Sequence, residues 1–458
     1  MITPDAFLTR SLLRHSHGKA ITRILASAIN AVAPDGAVRR FAHRAGNQLL
    51  ISLEPGNTAA GQFYDLEKIG QVTILGLGKA AGSMTRVMAE MLSDKSPRGL
   101  LVVKHPEAEL PDGFEQIVAG HPVPNAGSLI AAQKIKEFLA GSQPADLLIC
   151  LISGGGSALM SLPKSGITLE NMQSLTSTLL ACGARIDEIN TLRRHLDEVK
   201  GGGLASMAAP AQIISLILSD VVGSPLEAIA SGPTAPDPSS LQDAWSILEK
   251  YQLLEKVPPV ILTALQSGAE TPKPGNNLFD SVQNVVVGNN LLAAQAALQQ
   301  ARLEGFNPIY LRGDLQGEAR SVAADLCLSL RSGTQTGQPL VRPFCMLAGG
   351  ETTVTLQGAN LGRGGRNQEL ALAAVSELID IPNSLLVSLA TDGEDGPTDA
   401  AGAVVSSETY KHGEQSGLYP LDHLVNHDAY AYFDALGDLL KPGPTGTNVN
   451  DLTFLFGF

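Results

Sequence analysis

Short apolar runs without polar interruption punctuate the chain, and longer stretches with helical spacing lie between them. Residues 72–75, 100–103, 147–152 and 213–218 form one series of such runs. Residues 285–287, 308–311, 344–347 and 385–389 form a second. A run of this length with no in/out alternation marks a strand covered on both faces. Residues 7–32, 129–139, 187–200, 291–303 and 317–330 carry apolar positions at helical spacing. Residues 7–32 read as one amphipathic helix bearing Arg10, Arg14 and Arg23. Strand and helix alternating in this way predict an α/β protein whose sheets are largely parallel.

The chain has 458 residues. A single core stops growing at roughly 250–300 residues, so two domains are expected. The stretch APDP at residues 235–238 breaks both helix and strand, and Pro258, Pro259 and residues 271–277 are turn-rich. The boundary is therefore placed near residue 235. Residues 1–235 are expected to form a Rossmann-like αβα sandwich with a largely parallel sheet, and residues 236–458 a second α/β domain.

Almost every predicted strand runs into a glycine or acidic loop. Residues 72–75 enter Gly76-Leu77-Gly78-Lys79, and residues 147–152 enter Ser153-Gly154-Gly155-Gly156-Ser157. Residues 213–218 enter Ser219-Asp220, and residues 344–348 enter Gly349-Gly350-Glu351. Residues 385–390 enter Thr391-Asp392-Gly393-Glu394-Asp395-Gly396. Ligands of open parallel sheets bind beyond the carboxyl ends of the strands. Because the loops come from both halves, the active site is expected in the cleft between the domains.

Composition narrows the chemistry. The net charge is −13 and no basic patch stands out, which speaks against a nucleic-acid partner. None of the four cysteines, Cys150, Cys182, Cys327 and Cys345, forms a CxxC pair, so the usual zinc and thioredoxin-like signals are absent. Cys150 and Cys345 lie in apolar runs and read as buried thiols of a reducing compartment. No apolar run reaches the roughly 18–20 residues of a membrane span, and no signal-peptide core is visible, so the cytoplasm is the expected location.

The loop residues carry distinct chemistry. Residues 76–81 match GxGxxA, the dinucleotide fingerprint, which requires an acidic residue about 20 positions on. The next strand instead ends in Val103-Lys104-His105. Lys79 at a helix start opposes the helix dipole unless an anion binds between them. The three glycines of residues 153–158 let backbone N–H groups converge on phosphate oxygens. Arg193, Arg194, His195 and Lys200 precede Gly201-Gly202-Gly203, which read as a helix C-cap with cations that suit its dipole or face a substrate anion. Arg363 and Arg366 flank glycines at another helix start, where arginine forks suit phosphate or carboxylate. Asp392 and Asp395 suffice for Mg²⁺, which keeps waters and substrate phosphates as ligands. His121 follows a strand-like run and either touches substrate or forms a rigid turn. No P-loop signature and no protein-kinase set occurs.

Taken in order, these motifs resemble one family. They are GLGKAAGSM (residues 76–84), GHPVPNAGS (120–128), LISGGGSALM (151–160), NTLRRHLDEVKGGGLA (190–205), SDVVGSPLEAIASGPT (219–234), GGETTV (349–354), GRGGRNQELAL (362–372), ATDGEDGPTDAAG (390–402) and TNVNDL (447–452). The chain resembles class II glycerate 2-kinases, whose C-terminal half holds the MOFRL domain, here at about residues 343–455. The resemblance implies ATP, Mg²⁺ and transfer of a phosphoryl group to the 2-hydroxyl of D-glycerate, and leaves room for a homodimer. It places the family's lysine on Lys79 and its arginine on Arg366, with Asp220 as a third catalytic candidate. Gly78, Ser153, Gly154, Gly155, Gly156, Ser157, Arg194, Lys200, Glu351, Asn367 and Asp451 are expected to bind substrate or nucleotide, and Asp392 and Asp395 metal. Among Asp220, Asp392 and Asp451 the choice of base and metal ligand stays open. Some members of the family are labelled hydroxypyruvate reductases, so NAD(P)H-dependent reduction is the alternative activity.

Overall fold

A computed structural model describes residues 1–335, 340–356 and 361–458. The chain divides into two compact units, and neither is a simple half. One runs Pro34–Val287; the other joins Met1–Ala33 to Gly288–Phe458. The break expected near residue 235 falls inside the first unit. The proline-rich turn there is tied down: the Asp237 backbone N–H donates to the Pro272 carbonyl at 2.9 Å, and its buried carboxylate pairs with Arg194. The N-terminal segment belongs with the second unit, where the Thr447 hydroxyl donates to the Val32 carbonyl at 2.8 Å and Arg23 pairs with Glu304 at 2.6 Å.

In the Pro34–Val287 unit, β1 (Ala42–Ala45), β2 (Gln48–Ser52) and β3 (Gly61–Asp65) form a small antiparallel sheet. The main sheet contains β4 (Val72–Leu77), β5 (Arg98–Val103), β6 (Phe114–Val118), β7 (Leu147–Ile152), β8 (Gln212–Leu218) and β9 (Val282–Gly288). Its order is β6-β5-β4-β7-β8-β9, and the pairs β5/β6, β4/β5, β4/β7 and β7/β8 are parallel. The chain starts at the centre, runs to one edge, then returns to the other side of β4. That reversal is the topological switch point, and it lies between β4 and β7. The core under these strands includes Leu75, Leu100, Val102, Cys150 and Ile152, all buried. A separate apolar cluster holds the helix Ile186–Leu196 through Ile189, Leu192 and Leu196.

The other unit contains β10 (Asn307–Leu315), β11 (Phe344–Gly350), β12 (Ser384–Ala390), β13 (Gly402–Ser406), β14 (Leu439–Leu440) and β15 (Asp451–Gly457). The order is β10-β11-β15-β12-β13-β14. Only β10/β11 is parallel; β15 runs antiparallel between β11 and β12, and β13 and β14 add further antiparallel pairs. The expectation of largely parallel sheets therefore holds for the first unit alone. Continuous apolarity reports burial on both faces, not strand direction.

Two helix expectations change as well. Residues 7–32 are not one helix but Arg10–Arg14 and Gly18–Asn30. Gly201 and Gly202 do not cap the helix before them, which ends at Leu196. They take φ of 54° and 82°, and Gly202 caps the following helix, Gly203–Ala208. Among the described residues no helix is long and apolar enough to cross a membrane. Cys150, Cys327 and Cys345 are buried free thiols.

Candidate active site

The switch point brings two of the glycine loops into register. The Ser153 N–H donates to the Leu77 carbonyl at 2.8 Å, and the Lys79 N–H donates to the Gly154 carbonyl at 3.2 Å. The Ser153 hydroxyl accepts from the Ala80 N–H at 3.0 Å. Gly78 takes φ 114°, and a Cβ there would overlap the Ser153 hydroxyl and carbonyl oxygens. Only glycine satisfies both conditions. The helix Ala81–Met91 starts from Ala80 without a side-chain cap. Its first N–H groups and dipole therefore face the loop.

Basic side chains stand around this corner. Lys79 is exposed and, among the described residues, has no carboxylate within ion-pair distance. His121 lies against the SGGGS loop, its Cδ2 2.9 Å from where a Cβ on Gly155 would stand. Burial, then the charges of Lys79 and Lys104, push the His121 pKa below its ordinary value. Lys79 and Lys104 favour an anion here, beside one carboxylate. The Asp220 carboxylate packs directly on Gly154 from the end of β8. The Ser157 hydroxyl is 2.8 Å from that of Ser231.

Arg194 and Lys200, expected to bind ligand, are buried in internal pairs. Arg194 Nε donates to Asp237 at 2.8 Å, and its other nitrogens reach Thr191, Glu227 and Ser239. Lys200 Nζ donates to Asp197 at 2.9 Å and to the Met160 carbonyl at 2.7 Å. Burial pushes the Lys200 pKa down while Asp197 opposes that. These donors fasten the loops; they do not present a free fork to a ligand.

The Met1–Ala33 and Gly288–Phe458 unit assembles a second cluster by strand register. Asp451 opens β15 directly opposite Gly350 at the end of β11 and Ala390 at the end of β12. The Asn290 amide donates to the Val449 and Asp451 carbonyls at 2.9 Å each, fixing this strand start. Arg366 begins the helix Arg366–Glu377. Its Nε and Nη2 donate to Asp451 at 2.6 and 3.1 Å, and Nη1 donates to Glu351 at 2.5 Å. Burial lifts the Asp451 pKa to about 7 against the lowering effect of Arg366. Burial opposes the charge on Arg366, but Asp451 and Glu351 outweigh it and raise its pKa. Asn367 accepts from the Ser388 hydroxyl at 2.7 Å and is buried beneath the cluster.

The two acidic-loop residues separate. Asp395, expected as a metal ligand, is buried, and both its oxygens accept N–H groups. The Asn367 and Gln368 backbones donate at 3.1 and 2.9 Å, and their side chains at 3.3 and 3.1 Å. It caps the Arg366 helix instead. Asp392 is half-buried, with the Glu394 N–H on Oδ1 at 3.3 Å. No group of three His, Cys, Asp or Glu residues suited to a metal stands together among the described residues. The residues fit an ion held by one carboxylate, waters and phosphates, with Asp392 as the donor.

At the end of β5 stand exposed Lys104 and His105, not a carboxylate. Glu107, farther on, lies against Gly82 and pairs with Arg86 at 3.8 Å. The sequence left the role of His121 open and did not single out Asn190, Ser231 or Asn290, although Asn190 and Ser231 lie within the motifs at residues 190–205 and 219–234.

Two family models match the chain: Domain of unknown function (DUF4147) over residues 20–266 and the MOFRL family over residues 344–451. The chain is 37% identical over 432 residues to a glycerate 2-kinase of Pyrococcus horikoshii, covering 94% of this chain and 95% of that one. It is 41% identical over 387 residues to a D-glycerate 2-kinase of Thermotoga maritima, covering 84% and 90%. The crystal structure of a glycerate kinase from Thermotoga maritima superposes with a TM-score of 0.83 at 37% identity, over 95% of this chain and 98% of that one. With Lys79 beside the SGGGS loop and Arg366 at the head of a carboxylate cluster, this chain belongs to the glycerate kinase family that pairs the DUF4147 and MOFRL domains.

Proposed function

We propose that this chain transfers the γ-phosphoryl group of ATP to the 2-hydroxyl of D-glycerate, giving 2-phospho-D-glycerate and ADP. The observation that carries the reading is the exposed Lys79, which has no counter-charge among the described residues and is held by its backbone to the SGGGS loop at the β4/β7 switch point. A cation so placed is costly at a helix start and becomes favourable once a phosphate lies between it and the helix.

In the reaction a bond forms from the glycerate oxygen to phosphorus while the bond to ADP breaks. Such transfer needs positioning and charge stabilisation more than covalent chemistry from the protein. The backbone N–H groups of residues 153–157 cradle phosphate oxygens. Lys79 neutralises charge on the transferring group, and Arg366 clamps a phosphate or carboxylate in exchange for its bonds to Asp451 and Glu351. Asp220, on Gly154, orients the attacking hydroxyl and takes up its proton. Asp392 would hold Mg²⁺, which when bound would offset phosphate charge. A reductase reading finds no acidic residue at the end of β5 to hold a ribose.

The test is ADP release with D-glycerate, followed by NMR of the product to tell the 2-phosphate from the 3-phosphate. Oxidation of NAD(P)H with hydroxypyruvate, without ADP formation from ATP and glycerate, overturns the proposal.

A further inference from the structure

The helix Ile186–Leu196 presents Asn190, Arg193 and Arg194 on one face, at the i, i+3, i+4 spacing. The two arginines are adjacent in sequence and opposite in circumstance. Arg194 is saturated by Asp237 and three further oxygens. Arg193 is half-buried, and its Nη1 makes one long bond to the Asn190 side-chain oxygen at 3.5 Å. Among the described residues no carboxylate lies within ion-pair distance of it. Burial lowers its pKa, and the more distant Asp197 only partly restores it. A guanidinium withdrawn from water without a partner is unfavourable unless a ligand supplies the charge.

What surrounds Arg193 points to the ligand. The Asn190 oxygen also accepts from the Ser231 hydroxyl at 3.3 Å, and that hydroxyl is 2.8 Å from Ser157 in the glycine loop. A line of hydroxyl and amide groups thus leads from the phosphate cradle to a lone guanidinium. Its backbone is held under strain: Ala230, Ser231 and Gly232 take φ of 51°, 61° and 63° in succession. Two of these are not glycine, and such strain persists where surrounding structure enforces it, commonly at ligand sites. The phosphate end of this line already has Lys79, His121 and the loop N–H groups. The other end offers hydroxyl partners and one planar fork, which suits a small hydroxy acid with its carboxylate on the fork.

We propose that Arg193, and not Arg194, binds the carboxylate of the phosphoryl acceptor; this rests on the glycerate reading above. The fork takes the carboxylate bidentately, while Asn190, held by Ser231, steadies the fork. Arg194 is a positioning residue that acts through Asp237.

The test uses Arg193→Met and Arg193→Lys in the full chain. Loss of a charge-assisted pair raises the KM for D-glycerate roughly 10- to 100-fold in Arg193→Met, with the KM for ATP within about 2-fold. Arg193→Lys, which keeps charge but not the fork, falls between. The unfolding temperature of Arg193→Met stays at or above that of the parent, because the charge it removes has no counter-charge among the described residues. Stabilisation by added glycerate is lost while stabilisation by ATP remains. An unchanged KM for glycerate, a rise in the KM for ATP instead, or collapse of the Arg193→Met fold each overturns the assignment. Parent protein that makes no ADP from glycerate overturns the kinase reading itself, which separates the two failures.

Discussion

Arg366 grips Asp451 with two hydrogen bonds, at 2.6 and 3.1 Å, yet Asp451 is buried deeply enough that its pKa lies near 7. Burial penalises the carboxylate more than the arginine rewards it. Below about pH 7 Asp451 is neutral, and Arg366 keeps positive charge for an anionic ligand. Above that pH the carboxylate competes for the same fork. The KM for anionic substrate should therefore rise as pH climbs through about 7, and Asp451→Asn should flatten that rise. The linkage sign follows from the raised pKa: the folded state holds a proton that the unfolded chain releases near its ordinary carboxylate value. Stability should fall as pH rises from about 4 to about 7 and level off above, and Asp451→Asn should remove that slope. Parallel KM–pH profiles for parent and variant would exclude Asp451 as the titrating group.

Gly78 is needed twice, for φ 114° and for the close approach of Ser153. Gly78→Ala should cost roughly 1–3 kcal/mol from the backbone alone and displace the lysine loop from the SGGGS loop. Denaturant midpoints and ADP release should fall together. A variant with parental stability and turnover would mean that the loop crossing is dispensable.

The strands were legible where burial is two-sided. Residues 147–152 coincide with β7, and residues 385–389 lie within β12, because a strand covered on both faces reads as one apolar run. The sheet of β1–β3 was not read, since its short strands are partly exposed and mix polar with apolar positions. The place of β15 between β11 and β12 was not read either, since it depends on pairing with residues some distance back along the chain. Lys79 and Ser153 were legible as loop residues at strand ends, Arg366 as a residue at a helix start, and Asp451 only through the family motif TNVNDL. The difference between Arg193 and Arg194 was not. Two adjacent arginines have the same local chemistry, and what parts them is Asp237, delivered by a turn 43 residues from Arg194.

Lys79 is exposed and pairs with no carboxylate among the described residues, so its side chain contributes little to folding. Lys79→Ala should leave the unfolding temperature within about 1–2 °C, as expected for a surface change, and lower kcat roughly 10³-fold or more, the scale seen when a charge on a transferring phosphoryl is removed. Lys79→Arg should recover only part of this, because a planar fork does not replace a compact ammonium. Near-parental ADP release from the alanine variant would remove Lys79 from the chemistry.

Asp392 and Asp395 sit three positions apart in one loop and make opposite predictions. Asp395 accepts four N–H groups at the start of the Arg366 helix. Asp395→Ala strands buried donors and should cost roughly 2–4 kcal/mol, with loss of activity following from a displaced Arg366. The Mg²⁺ concentration for half-maximal rate should not move in whatever activity remains. Asp392→Asn should do the reverse, leaving stability within about 0.5 kcal/mol as for a partly exposed polar swap and raising the half-maximal Mg²⁺ concentration roughly 10-fold, the lower end for loss of a metal-supporting group. Unfolding curves and Mg²⁺ titrations on the two variants separate the roles. A Mg²⁺ shift in Asp395→Asn at parental stability would return that residue to the metal, since an amide cannot accept four N–H groups as the carboxylate does.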